Sequence, residues 1–131
     1  MGAAPRVAIL NTSQDVIDVL RDVCEDAGME VVTGYIVDFR RGERDLGAFL
    51  AEHRPQVIIY DIALPYRENW QYFATVRALS GLPDGAFVLT TTNKTVLEAL
   101  VGPTGSFELV GKPFDIEQIV AATRQALEAG A

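Results

Sequence analysis

Val57-Ile58-Ile59-Tyr60 is apolar at every position and delivers a carboxylate, Asp61. A continuous apolar run this short reads as a strand buried on both faces, the pattern of an interior strand in a parallel sheet. An acidic residue directly after it stands at the carboxyl end, where open α/β sheets gather their functional groups. The same pattern recurs on either side. Upstream, Val7-Ala8-Ile9-Leu10 closes on Asn11-Thr12-Ser13, and Met29 to Val37, rich in β-branched and aromatic residues, reads as the second strand. Downstream, Ala86 to Leu89 leads into Thr90, Thr91 and Thr92, and Phe107 to Val110 leads towards Lys112.

Helical periods fill the intervals. Val16, Val19, Leu20, Val23 and Ala27 mark one face, with Gly28 placed to stop the helix. After a polar stretch from Asp38 to Arg44, Leu46, Phe49 and Leu50 suggest a short second helix closed by Pro55. Trp70, Phe73, Val76 and Arg77 trace a third, ended by Gly81, Pro83 and Gly85. Val96, Leu97, Leu100 and Val101 trace a fourth, broken by Gly102-Pro103. Asp115 with Gln118 makes a capping box for the last, whose apolar face is Ile116, Ile119, Val120, Thr123 and Leu127. Alternating strands and helices argue for a parallel sheet covered on both faces.

Composition narrows the function. The chain has 131 residues, 49% hydrophobic and 22% charged, with a formal net charge of −7. That suits one domain, residues 1–131 with a core of about 5–129, able to bury a core without disulfides or a structural metal. Lys94 and Lys112 are the only lysines, and Asp38, Glu43 and Asp45 interrupt the arginines at 40, 41 and 44, so nucleic acid is not expected as a partner. Apolar runs fall far short of the ~20 residues of a membrane span, and Met1 to Arg6 lacks the pattern of a signal peptide. A cytoplasmic domain is the expectation. A lone cysteine, Cys24, and a lone histidine, His53, exclude a disulfide within the chain and a Cys- or His-rich metal centre. Cys24 is read as packing, and His53 as a solvated residue near the end of the second helix. The series Asp15, Asp18, Asp22 and Asp26 reads as a solvated helix face.

The polar residues at the strand ends carry a resemblance. Val57-Ile-Ile-Tyr-Asp61-Ile-Ala-Leu-Pro65, Val88-Leu-Thr90 and Gly111-Lys112-Pro113-Phe114, in this order, resemble the receiver domain of two-component response regulators, CheY-like, over essentially the whole chain. The resemblance implies an α/β, flavodoxin-like three-layer (βα)5 fold with a five-stranded parallel sheet of order 2-1-3-4-5. It implies a signalling domain and no enzyme: Asp61 as phosphoacceptor, Thr90 and Lys112 as phosphoryl-binding groups, and a histidine kinase or phosphotransfer protein as donor. It also implies a downstream protein partner and a homodimer through the fourth helix, fifth strand and fifth helix, with Lys94, Glu98, Glu108, Glu117 and Arg124 on that face. On its own, Asp61 reads equally as a turn or capping residue, and Lys112 as a surface lysine. Spacing to Lys112 favours Thr90 as the hydroxyl, whereas spacing from Asp61 favours Thr91. The family suggests a cis Lys112–Pro113 bond. Where the family has an acidic pair, Asn11 and Thr12 are neutral, so Lys112 is expected to be the dominant charge near Asp61 and to form a direct ion pair with it.

Three departures qualify the resemblance. Where the family ends its first strand in two acidic metal ligands, this chain has Asn11 and Thr12; with the backbone carbonyl of Ala63 these are degenerate metal positions. Mg²⁺ favours hard, charged oxygens, so its binding is expected to be weak or absent. Glu68-Asn69 replaces an Asp-Gly pair, and asparagine is expected to keep the loop's positive φ. Leu109 stands where an aromatic switch residue is common, and Phe107 and Tyr60 are the aromatic residues nearby in sequence. A phosphorylated receiver is one reading, and a phosphorylation-independent pseudo-receiver acting as a protein-interaction module is the other. No Gly-rich phosphate loop follows the first strand, so a flavodoxin-like enzyme finds no support.

Overall fold

A computed structural model describes residues 4–101, 108–111 and 115–130. Five parallel strands, β1 (Arg6–Asn11), β2 (Glu30–Tyr35), β3 (Val57–Ile62), β4 (Phe87–Thr91) and β5 (Glu108–Gly111), lie in the order β2-β1-β3-β4-β5. Strand alternation divides the core between the two faces of this sheet. Val7, Ile9, Val57, Ile59 and Val88 point to one face, against Ile17, Leu20 and Cys24 of α1 (Gln14–Asp26) and Ile119 and Ala126 of α6 (Ile116–Gly130). Ala8, Leu10, Ile58, Tyr60, Phe87 and Leu89 point to the other. That face is covered by α2 (Ile36–Arg40), α3 (Leu46–His53), α4 (Tyr66–Ser80) and α5 (Lys94–Val101). The three-layer flavodoxin-like arrangement and its strand order are those the resemblance implies. Every residue of β3 is buried, as its unbroken apolar run requires of a central strand.

Local expectations fail in four places. The second strand stops at Tyr35, and Ile36 and Val37 begin the short helix α2 instead. Gly34 explains the bend: a Cβ there would lie 2.5 Å from Phe39 Cε2 and 2.7 Å from Leu10 Cδ2, so the missing side chain makes room for the ring. On α1 the buried face is Ile17, Leu20 and Cys24, one position round from the valine stripe, and Val19 is 56% exposed. Glu68 and Asn69 lie in the first turn of α4, which starts before Trp70; Arg54 is the sole non-glycine with positive φ among the described residues. Ala86 belongs to a short 3₁₀ turn, Asp84–Ala86, ahead of β4, and Arg77 clamps that turn with two hydrogen bonds to Asp84, 2.6 and 2.7 Å.

Other features match. Gly81 ends α4 with a left-handed φ of 67°. Gln118 Oε1 accepts from the Asp115 N–H at 2.8 Å, one half of the capping box before α6. Cys24 is wholly buried, and burial pushes its thiol pKa up to about 11. His53 ends α3 as expected, with its ring against Phe49 at 4.8 Å between centroids.

Candidate functional site

Parallel register assembles the site. Asp61 on β3 is paired with Thr90 on β4, so their side chains leave the sheet on one face. Thr90 Oγ1 donates to Asp61 Oδ1 at 2.7 Å, with Asp61 3% exposed and Thr90 fully buried. Of the three threonines, Thr90 is the one bonded to Asp61. Thr91 projects to the opposite face, and its hydroxyl accepts from the Asn93 N–H at 3.2 Å, at the entry to α5. Thr92 is exposed and shares a 2.6 Å hydrogen bond with the Tyr66 hydroxyl, tying the loop after β4 to the start of α4.

On the other flank, Leu10 of β1 is registered with Tyr60, so Asn11 and Asp61 end neighbouring strands side by side. Asn11 is 2% exposed, and its Oδ1 accepts from the Ser13 N–H at 2.9 Å. Thr12 is exposed. Two residues beyond Asp61, the Ala63 carbonyl accepts from Asn69 Nδ2 at 2.7 Å. Asn69 Oδ1 in turn accepts from Arg40 Nη1, and the Arg40 guanidinium lies over the Tyr72 ring, 5.2 Å from its centroid. Tyr60 points to the opposite face from Asp61, packed on Phe73 at 5.1 Å. Its hydroxyl is held well above the usual tyrosine pKa, mainly by burial, so it stays protonated. Tyr60 therefore does not lie beside the Asp61 carboxylate.

A divalent cation, which the resemblance implies, meets an ill-suited donor set. The Asn11 amide oxygen and the Ala63 carbonyl already accept internal hydrogen bonds, and Asp61 is the one carboxylate at the three strand-end positions. Among the described residues no three His, Cys, Asp or Glu side chains gather as a metal-binding group. The donors do not fit Mg²⁺.

Several expectations fall outside the described residues: Lys112 and the ion pair expected between it and Asp61, the Lys112–Pro113 bond, Phe107, and the side chains of Glu108 and Leu109. The described cis peptide is Leu64–Pro65, in the loop after Asp61. Arg40 and Asn69 were not foreseen at the site. Arg40 was legible only as part of an interrupted basic run, and Asn69 only as a loop-forming residue.

No family model matches the chain. Solved structures resemble it over nearly its full length. A response regulator receiver protein from Sinorhizobium medicae matches at TM-score 0.70 and 16% identity, covering 98% of each chain. The chemotaxis protein CheY4 of Vibrio cholerae matches at TM-score 0.69 and 22% identity, over 95% of this chain and 99% of that one. A transiently phosphorylated "switch" in bacterial signal transduction matches at TM-score 0.71 and 23% identity, over 96% of each. Over nearly its whole length the chain has the fold of the response regulator receiver domains, of the CheY-like kind.

Proposed function

We propose that the chain is a receiver domain in phosphorelay signalling: Asp61 accepts a phosphoryl group from a histidine kinase or phosphotransfer protein, and the change is relayed to a protein partner. One observation carries this reading, the 2.7 Å bond from Thr90 Oγ1 to Asp61 Oδ1 at the carboxyl ends of adjacent strands. A carboxylate oxygen attacks phosphorus, the donor's bond to phosphorus breaks, and the leaving group departs with the electron pair. The hydroxyl that now donates to the carboxylate then donates to a phosphoryl oxygen, and that change passes into the loop leading to α5. Lys112 would be the second phosphoryl-binding group. Relay to a partner, or to a second copy, would use the face of α5, β5 and α6, where Lys94 pairs with Glu98 at 4.0 Å. Charge reversal at Glu98 and Arg124 together is expected to weaken partner binding or self-association, measured by sedimentation; unchanged behaviour assigns the interface elsewhere.

Phosphorus NMR of the protein treated with phosphoramidate tests acceptance. An acyl-phosphate resonance absent from Asp61→Asn supports the reading. The pseudo-receiver reading draws on the internal hydrogen bonds that occupy Asn11 and Ala63. It gains if no resonance forms and Asp61→Asn binds the partner as the natural chain does.

A further inference from the structure

We propose that Arg40, held on Asn69 in the resting protein, is a cation that contacts a phosphoryl group on Asp61 in addition to Lys112, so that the site works without a divalent metal ion. The inference rests on the reading of Asp61 as phosphoacceptor. Three observations lead to it. First, the place a cation would take at the Ala63 carbonyl is filled by the Asn69 amide, 2.7 Å away. A bound cation would have to displace that N–H donor, and Asn11 and Thr12 offer no charge in return. Second, the far side of the same amide is held by Arg40 Nη1, so an always-charged group stands one side chain from the Ala63 backbone, two residues beyond Asp61. Third, Arg40 belongs to α2, the turn that Gly34 lets fold back across the sheet, so its position is built into the fold.

The chemistry suits a guanidinium. Transfer leaves negative charge spread over the equatorial phosphoryl oxygens, and catalysis is mostly positioning and charge stabilisation. A planar fork of five N–H donors matches two such oxygens at once, and the bond to Asn69 engages one donor. The Arg40 side chain is exposed over the Tyr72 ring, which supports the fork without confining it. With acetyl phosphate as donor, a carboxylate oxygen of Asp61 bonds to phosphorus while the phosphorus–acetyl oxygen bond breaks. Acetate leaves with that electron pair, and no proton or further reactant is needed.

The test is the initial rate of acetyl phosphate labelling, followed by intact-protein mass spectrometry in Mg²⁺ and in EDTA. The natural chain should label equally in both. Arg40→Gln should label at least about tenfold more slowly, Arg40→Lys should recover part of the rate, and Arg41→Gln should match the natural chain. Circular dichroism melts of each variant separate loss of fold from loss of charge. Labelling that EDTA abolishes, or that a folded Arg40→Gln keeps in full, overturns the inference and leaves Asp61 as acceptor. No labelling of the natural chain in either buffer overturns the acceptor reading itself, and the inference with it.

Discussion

Thr90 Oγ1 and Asp61 Oδ1 lie 2.7 Å apart across the β3–β4 register, a buried hydroxyl donating to a buried carboxylate. This bond has structural weight as well as a chemical role. A charge-assisted bond in a site almost closed to water is stronger than a neutral one, and removing its donor costs more than the bond's net contribution. Thr90→Val keeps the shape and removes the donor. It should destabilise the protein by about 1–3 kcal/mol at neutral pH in urea unfolding, and by less in an Asp61→Ala background. Equal losses in both backgrounds would show that the two side chains are not coupled.

Mg²⁺ at millimolar concentration should leave the emission of Trp70 unchanged. Trp70 directly follows Asn69, whose side chain bonds the Ala63 carbonyl, so displacement of Asn69 by a bound cation would shift the first turn of α4 beside the indole. Asn11→Asp with Thr12→Asp should create a saturable response, because it restores carboxylates beside Asp61 while an Asp at 11 can still accept from the Ser13 N–H. A saturable response in the natural chain, lost in Asp61→Asn, would contradict the assignment.

Much of this was legible in the sequence. The apolar run before Asp61 and the alternation of strands and helices specify the sheet, and the polar strand ends mark the edge at which Asn11, Asp61 and Thr90 gather. What was not legible depended on contacts between distant segments. Ile36 and Phe39 have the i, i+3 spacing of a helix face, but they are also good strand residues, and the room that Gly34 leaves for the Phe39 ring is visible only in the folded chain. The choice between Thr90 and Thr91 needed the β3–β4 register, because a shift of one residue exchanges the two faces. Arg40 and Asn69 are 29 residues apart, and nothing local links them.

Gly34→Ala tests that turn. Its Cβ would meet the Phe39 ring at 2.5 Å and Leu10 Cδ2 at 2.7 Å, so α2 must shift or the ring must move. The expected loss is about 1–3 kcal/mol, the ordinary cost of overpacking, and Phe39→Leu in the same chain should return part of it. Thermal unfolding with no loss for Gly34→Ala would mean that α2 is not held by this contact.

Burial of Cys24 sets an alkaline limit. Its thiol pKa is raised from 9.0 to about 11 in the folded chain, so between these values the unfolded state holds fewer protons than the folded one. Stability from this group is therefore full below pH 9.0 and is lost as pH rises towards about 11. The loss is on the order of 2 kcal/mol. Cys24→Ala should lower stability at neutral pH through a cavity, yet show a flatter decline over that window. An identical alkaline slope in both chains would place the titration elsewhere.

The central claim is that Asp61 accepts a phosphoryl group and that the hydroxyl of Thr90, not Thr91, donates a hydrogen bond to it. Tandem mass spectrometry of the protein treated with acetyl phosphate addresses both parts together. One phosphoryl group should appear on the peptide containing Asp61, vanish in Asp61→Asn, fall in Thr90→Val and persist in Thr91→Val. A chain that takes no phosphoryl group, or one that Asp61→Asn still carries, would contradict the account.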